Sequence, residues 1–362
     1  MSIYAVVMAG GIGSRFWPKS NKKTPKQLMK IFGEKTLIQE TVERLTGFID
    51  DDKIYIVTNR KQRPLVVNQL PQLPPANIIA EPFGRETAPC IGLASIIIQK
   101  RDPDALIINL PADHLIRRIA DFHLALKNAI DYASKTNGLV TIGILPSRPE
   151  IGYGYIQIDE QSIDDNIHKV YSFAEKPNYA TAVRFIESGD FLWNSGIFIW
   201  KASSILNEIQ IHLPDLFEGL EEIKAVIDTP EFEKKLDIVY GQLRKISIDY
   251  GVMEKSKKVF LTKGDFIWSD VGSWEEVYQL SEKDDSGNCI RGKVYTDMTV
   301  DSFIFSPEKF TAVIGAENLI VVHNDDALLV CRRDQAQSVK KIVDYLKMNK
   351  LNAIKPVNEI GN

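Results

Sequence analysis

The sequence is poor in cysteine, and the three it has are scattered. Cys90, Cys289 and Cys331 form no CxxC pair and no even framework. That excludes a disulfide-stapled secreted scaffold and suits small core residues in a reducing cytosol. No His/Cys cluster has the spacing of a zinc site. Of the five histidines only His114 lies in a motif, and nothing pairs it with a Ser or Cys nucleophile. No apolar run approaches the roughly 18 residues that cross a bilayer. The N-terminus, MSIYAVVMAGG, enters a strand without a basic leader or a cleavage site. Low-complexity tracts and internal repeats are also missing. A net charge of −4 gives no general attraction to nucleic acid or an anionic membrane, so any positive patch must act locally. These absences point to a cytoplasmic chain with no nucleic-acid or membrane partner.

What remains is an ordinary globular composition, 44% hydrophobic and 25% charged, over 362 residues, enough for one large domain and a smaller one. Apolar runs of strand length at 3–8, 53–58, 77–80, 105–110 and 139–143 alternate with helical patterns at 37–46, 60–69, 88–99 and 120–134. Continuous apolar strands separated by helices indicate a parallel sheet covered on both faces. Beyond Ile144 the pattern mixes strands (154–158, 170–173, 195–200, 258–261) with a helix at 179–188 and a long helical stretch at 203–224. The polar break EKDDSGN at 282–288 divides the chain into 1–285 and 286–362. The tail carries short β-rich runs (FIFSP, TAVIG, LIVVH, ALLVC) and a final helix at 334–348. The expected fold class is α/β: a Rossmann-like, mixed but mainly parallel sheet flanked by helices, with a small β-rich C-terminal domain ending in a helix.

In such sheets ligands sit beyond the carboxyl ends of the strands. After the first strand comes AGGIGSRFWPKSNKKTPKQL, with three glycines in four positions, five basic residues and no acid. Glycines let backbone N–H groups approach an anion, and Arg15 and Lys26 add charge that reaches phosphate. GxxxxGK[ST] is absent and GxGxxG fails at its third glycine, so neither standard phosphate loop is present. The glycines alone could equally mark a turn with a solvated basic face. After ALIINL, Asp113 of PADH either offers hard oxygens for Mg²⁺ or caps the next helix. Asp270 of DFIWSDVGSW follows another apolar run.

The string AGGxGxRxWPxS…PKQ resembles the nucleotidyltransferases that make nucleotide-sugars from a sugar 1-phosphate and a nucleoside triphosphate. Its WP and TPKQ resemble the mannose-1-phosphate guanylyltransferases (GDP-mannose pyrophosphorylases) within that superfamily. RPEIGYGYI, FAEKP, FLWNSGIFIW and ISIDYGVMEK follow in the family's order and spacing. The resemblance implies transfer of GMP from GTP to mannose 1-phosphate by one in-line displacement, with Mg²⁺ as cofactor and no covalent intermediate. It implies Arg15 and Lys26 as catalytic residues, and a nucleotide site at Ala9, Gly10, Gly11, Gly13, Glu81 and Thr87. Gly154, Glu175 and Asn194 then meet sugar hydroxyls, Lys176 the sugar phosphate, and Asp113 and Asp270 the metal. Chemistry supports one of these assignments directly. Glu81 can accept from both N1–H and the 2-amino group of guanine, a donor pair that adenine lacks; otherwise it simply precedes a proline turn on the surface. Glu86 departs from the family pattern, which has asparagine there. Asp249 and Glu254 read equally well as structural. Many bacterial relatives carry an isomerase domain after this part, and the chain's end at Asn362 leads to the expectation of transferase activity alone. A homodimer is a further expectation.

Overall fold

The computed structural model describes residues 1–349 except 12, 22, 23, 165 and 326. They form two compact units: Met1–Gly10 with Gln39–Trp268, and Gly11–Ile38 with the described residues from Ser269 onward.

The strands of the first unit are β1 (Ile3–Met8), β2 (Ile54–Asn59), β3 (Ile78–Glu81), β4 (Leu106–Pro111), β5 (Leu115–Arg117), β6 (Leu139–Ile144), β7 (Gly154–Asp164), β8 (Ile167–Glu175), β9 (Phe191–Lys201), β10 (Val259–Gly264) and β11 (Ile267–Ser269). Nine of them make one sheet in the order β3-β2-β1-β4-β9-β6-β10-β8-β7. β3, β2, β1 and β4 run parallel, as do β6 and β10, while β9 is antiparallel to β4, β6 and β7. β2, β4 and β6 are buried almost from end to end, as their continuous apolar runs predict for strands covered on both faces. Helix Thr87–Arg101 lies in a large hydrophobic core, where Ile91, Ala94 and Ile98 pack with Ile107, Phe198 and Leu220. Strand order reverses at β1, which has β2 on one side and β4 on the other. A reversal of this kind opens a crevice at the carboxyl ends of the flanking strands.

Three local readings differ from what is observed. The helical stretch at 203–224 is two helices, Ala202–His212 and Pro214–Lys224, because Pro214 has no N–H to continue the first and starts the second at its preferred position. Helix Phe232–Gln242 was not foreseen. In the tail, FIFSP and TAVIG belong to one strand, and the 289–297 strand carried no apolar pattern because most of its side chains are exposed.

The second unit contains a four-stranded sheet, β12 (Cys289–Asp297), β13 (Phe303–Ile314), β14 (Leu319–His323) and β15 (Leu328–Arg332), paired in chain order. β12–β13 and β13–β14 are parallel despite short links, so the chain winds as a coil rather than folding back in hairpins. Helix Val339–Met348 follows β15. Trp274 is the aromatic centre of this unit. Its ring lies 5.0 Å from Phe16 and 5.4 Å from Phe303, and its indole N–H donates to Trp17 O at 3.2 Å. The N-terminal loop thus shares a core with the C-terminal coil. Cys90 and Cys289 are buried, as expected for small core residues, whereas Cys331 is partly exposed.

Gly292 sits where β12 shifts register, at φ +107°, and a Cβ there would overlap the carbonyl oxygen of Ser306. Gly292→Ala is expected to cost roughly 2 kcal/mol or more. Urea melts check this, and an unchanged midpoint would show that the coil gives way freely at this rung.

Candidate active site

The site residues of the first unit follow strand ends. Ala9 and Gly10 leave β1, where Ala9 N–H donates to Val57 O at 2.7 Å. Glu81 ends β3 and is 4% exposed. Tyr240 donates its hydroxyl to Glu81 Oε1 at 3.1 Å. The other oxygen lies toward bare backbone, since a Cβ on Gly10 would sit 4.0 Å from Glu81 Oε2. Burial raises the Glu81 carboxyl to a pKa of about 7, against the opposing pull of the Tyr240 hydrogen bond. Thr87 opens its helix, and its hydroxyl accepts from Ile248 N–H at 2.8 Å. Glu86, just before it, holds φ 66° and ψ −163°, a region that is essentially glycine's and costs a longer residue roughly 1–3 kcal/mol.

Asp113 lies two residues beyond β4 with its side chain about one-third exposed. His114 Nε2 is 4.0 Å from Asp113 Oδ1. Trp268 donates its indole N–H to His114 Nδ1 at 3.2 Å, so a neutral His114 carries its proton on the Asp113 side. Beneath this turn Arg44 is buried and donates to His114 O (2.8 Å) and Thr41 Oγ1 (2.9 Å). Burial lowers its pKa to about 10, which leaves it charged at neutral pH.

The four residues assigned to the sugar come together. Gly154 pairs with Glu175 across β7 and β8, and a Cβ on Gly154 would lie 2.6 Å from Glu175 Oε2 and 3.5 Å from Asn194 Cβ. Lys176, with φ +48°, donates its ammonium to Glu175 Oε1. The Asn194 amide is oriented at both ends, with Oδ1 accepting from Gly196 N–H at 3.0 Å and Nδ2 donating to Asp249 Oδ1 at 2.8 Å. Asp249 begins a π-turn, Asp249–Met253. Burial raises its pKa while Asn194 opposes the shift. Its place in ISIDYGVMEK was the only sequence signal for this role. Tyr240, 159 residues from Glu81, had none.

The second unit carries the basic loop. Gly13 adopts φ +72°, and a Cβ there would collide with Lys26 Cβ. Two bonds shape the loop around it: Ser20 Oγ donates to Gly13 O, and Gln27 Nε2 donates to Gly11 O at 3.1 Å. Arg15 is exposed, with no carboxylate partner among the described residues. Lys26, by contrast, is only 6% exposed and its ammonium donates to Asp270 O at 2.5 Å. The Asp270 carboxylate lies beside Gly272, where a Cβ would be 3.1 Å from Oδ1. Ile12, Lys22 and Lys23 lie outside the described residues.

Comparison with known proteins gives the family. The family model for nucleotidyl transferases matches residues 4–287. The chain belongs to the nucleotidyl transferase family. A second model, described as a MannoseP isomerase/GMP-like beta-helix domain, matches residues 294–346 of the transferase, from within β12 through β15 and into the last helix. A curated mannose-1-phosphate guanylyltransferase from Klebsiella pneumoniae is 39% identical over 98% of this chain and 76% of its own length. Among solved structures, one from Thermus thermophilus, described as a mannose-1-phosphate geranyltransferase, superposes with a TM-score of 0.87 at 32% identity. It covers 96% of this chain and 100% of that one. A Helicobacter pylori structure described as a mannose-6-phosphate isomerase gives a TM-score of 0.60 at 28% identity over 74% of this chain and 100% of its own. The transferase has no helix among its described residues that is long and apolar enough to cross a membrane.

Two outcomes are expected from this geometry. The folded state binds the Glu81 proton more tightly than the unfolded chain, whose carboxyl has the ordinary pKa of 4.5. Glu81 therefore adds stability that is fully present below about pH 4.5 and lost as pH rises through about 7, on the order of 3 kcal/mol. Denaturant melts from pH 4.5 to 8 should show a fall in the parent that Glu81→Gln removes, whereas parallel curves would mean ordinary titration. Gly154→Ala should push against Glu175 and raise the KM for the sugar substrate about 10-fold or more while the melting temperature moves little. An unchanged KM would separate Gly154 from the sugar.

Proposed function

We propose that the transferase moves GMP from GTP to α-D-mannose 1-phosphate, forming GDP-mannose and releasing pyrophosphate. The observation that carries the base choice is Glu81, a buried strand-end carboxyl whose Oε2 lies toward the bare backbone of Gly10. When ionised it can accept from guanine N1–H and the 2-amino group together. The sugar choice follows the names of the curated relatives.

The reaction is a single in-line displacement. A phosphate oxygen of the sugar phosphate attacks the α-phosphorus of GTP, and the bond to the β-phosphate oxygen breaks as pyrophosphate takes the electron pair. No nucleophilic side chain is needed, so the protein's task is positioning and charge stabilisation. Backbone N–H groups of Gly10, Gly11 and Gly13 and the exposed Arg15 would hold the triphosphate, with Ala9 and Thr87 beside the nucleotide. Lys26 supplies a second positive charge near the base of the loop. Gly154, Glu175 and Asn194 take the sugar hydroxyls, and Lys176 the sugar phosphate. All the residues assigned to this chemistry lie within 1–285.

The donor chemistry suits Mg²⁺. Asp113 and Asp270 present hard carboxylate oxygens after strand ends. These two aspartates would hold the ion, which would offset the negative charge of the phosphate oxygens.

The deciding assay is pyrophosphate release with mannose 1-phosphate and Mg²⁺, offering GTP, ATP, dTTP and UTP separately, with Asp113→Ala as control. The expected result is release with GTP alone and a loss of about 100-fold or more in the variant. Release with another nucleotide would overturn the Glu81 argument. Turnover of mannose 6-phosphate instead would favour the isomerase name of one structural relative.

A further inference from the structure

The turn that carries Asp270 is strained, and one buried carboxylate holds it. Val271 is fully buried and takes φ +48°, a left-handed conformation in which a β-branched residue is a genuine outlier. Its two neighbours on the turn, Ser269 and Gly272, are both tied to Glu276. Ser269 Oγ donates to Glu276 Oε2 at 2.9 Å, and Gly272 N–H donates to the same oxygen at 2.7 Å. Val271 N–H in turn donates to Ser269 Oγ at 2.9 Å. The carbonyl of the same peptide, Asp270 O, accepts from Lys26 Nζ. Both ends of the Asp270–Val271 peptide are therefore fixed, one by Lys26 and the other through Ser269 by Glu276.

Glu276 is placed for this by local structure. It is the third residue of helix Trp274–Leu280, whose N-cap Ser273 accepts from Glu276 N–H. In an ordinary capping box the side chain at this position reaches back to the N–H of the cap itself. Here it reaches one residue further, to Gly272, and also takes the Ser269 hydroxyl. The residue is 8% exposed, so these bonds are made out of bulk water, where a lost partner is costly. The consequence reaches Asp270 directly. Its carboxylate rests against the bare Cα of Gly272, with an added Cβ only 3.1 Å from Oδ1 and 3.4 Å from Oδ2. Moving Gly272 or relaxing Val271 would re-aim that carboxylate.

We infer that Glu276 is a positioning residue for Asp270: its carboxylate closes the Ser269–Gly272 turn and holds Val271 in the left-handed conformation that aims Asp270 at a divalent cation. This rests on the reading of Asp270 as a metal ligand. Groups that orient a ligating side chain without touching the metal typically change metal affinity 10- to 100-fold when removed.

The test uses the full chain and Mn²⁺ alone, with bound ion read from the loss of the free-ion EPR signal, alongside the melting temperature. Glu276→Ala should weaken Mn²⁺ binding about 10-fold. Glu276→Gln, which keeps an acceptor oxygen, should weaken it less. Val271→Gly removes the conformational strain, so the double variant Glu276→Ala/Val271→Gly should recover much of the lost affinity. That double variant also serves if Glu276→Ala alone folds poorly. Parental Mn²⁺ affinity in Glu276→Ala, with binding lost in Asp270→Asn, would overturn the inference and leave the metal reading standing. Undiminished binding in Asp270→Asn would overturn the metal reading and the inference with it. A Glu276→Ala defect that Val271→Gly fails to relieve would show that Glu276 does not act through the turn.

Discussion

The parallel pairing of β1 with β2 on one side and β4 on the other is the constraint on which the first unit's site depends. Met8 stands level with Val57 on β2 and Pro111 on β4, so β1 and β4 leave the sheet together while β2 runs two residues further to Asn59. Ala9 and Gly10 follow β1, and Ala112 and Asp113 follow β4, with Ala112 N–H bonded to Met8 O at 3.0 Å. β3 adds Glu81 at the same edge through its pairing with β2. Because strands that are buried on both faces resist sliding, the height at which these residues emerge is set by the core, not by the loops.

Within that frame, buried polar groups do the orienting. Tyr240 meets one oxygen of Glu81, Asp249 fixes the amide of Asn194, and Arg44 and Thr41 hold the backbone of the PADH turn at His114 and Ala112. Low dielectric makes each of these bonds worth more than it would be in water, and makes each lost partner costly. The same burial moves titrations: the Glu81 and Asp249 carboxyls rise and the Arg44 guanidinium falls. A carboxyl that stays partly protonated near neutral pH is stabilised without a ligand and becomes a full acceptor only when donors arrive.

The second unit uses backbone conformation in a comparable way. Gly13 and Gly292 sit where a side chain would collide with a named neighbour, Gly272 leaves a tight space beside Asp270, and Val271 takes up strain that no glycine relieves. Such strain persists only where its surroundings over-determine it. Trp274, at the start of the helix that bears Glu276, supplies that rigidity through its contacts with Phe16 and Phe303.

The sequence by itself determined the buried strands, because apolar runs such as ALIINL, bounded by turn residues, must be covered on both faces to exclude water. It also determined the chemistry of the strand ends: PADH, AEPFGRETAP and FAEKP announce their residue types whatever the surroundings. The break at Pro214 was equally present in the sequence, yet the apolar periodicity running past it hid it. Tertiary structure alone decided the rest. No local pattern joins Glu81 to Tyr240 across 159 residues or Asn194 to Asp249 across 55. Nor does any local pattern place residues 11–38 in one compact unit with the coil that begins near 269. Sequence periodicity reports which face of an element is buried. The identity of the group packed against that face depends on how distant segments satisfy each other's hydrogen bonds and volume, and only the assembled core determines that.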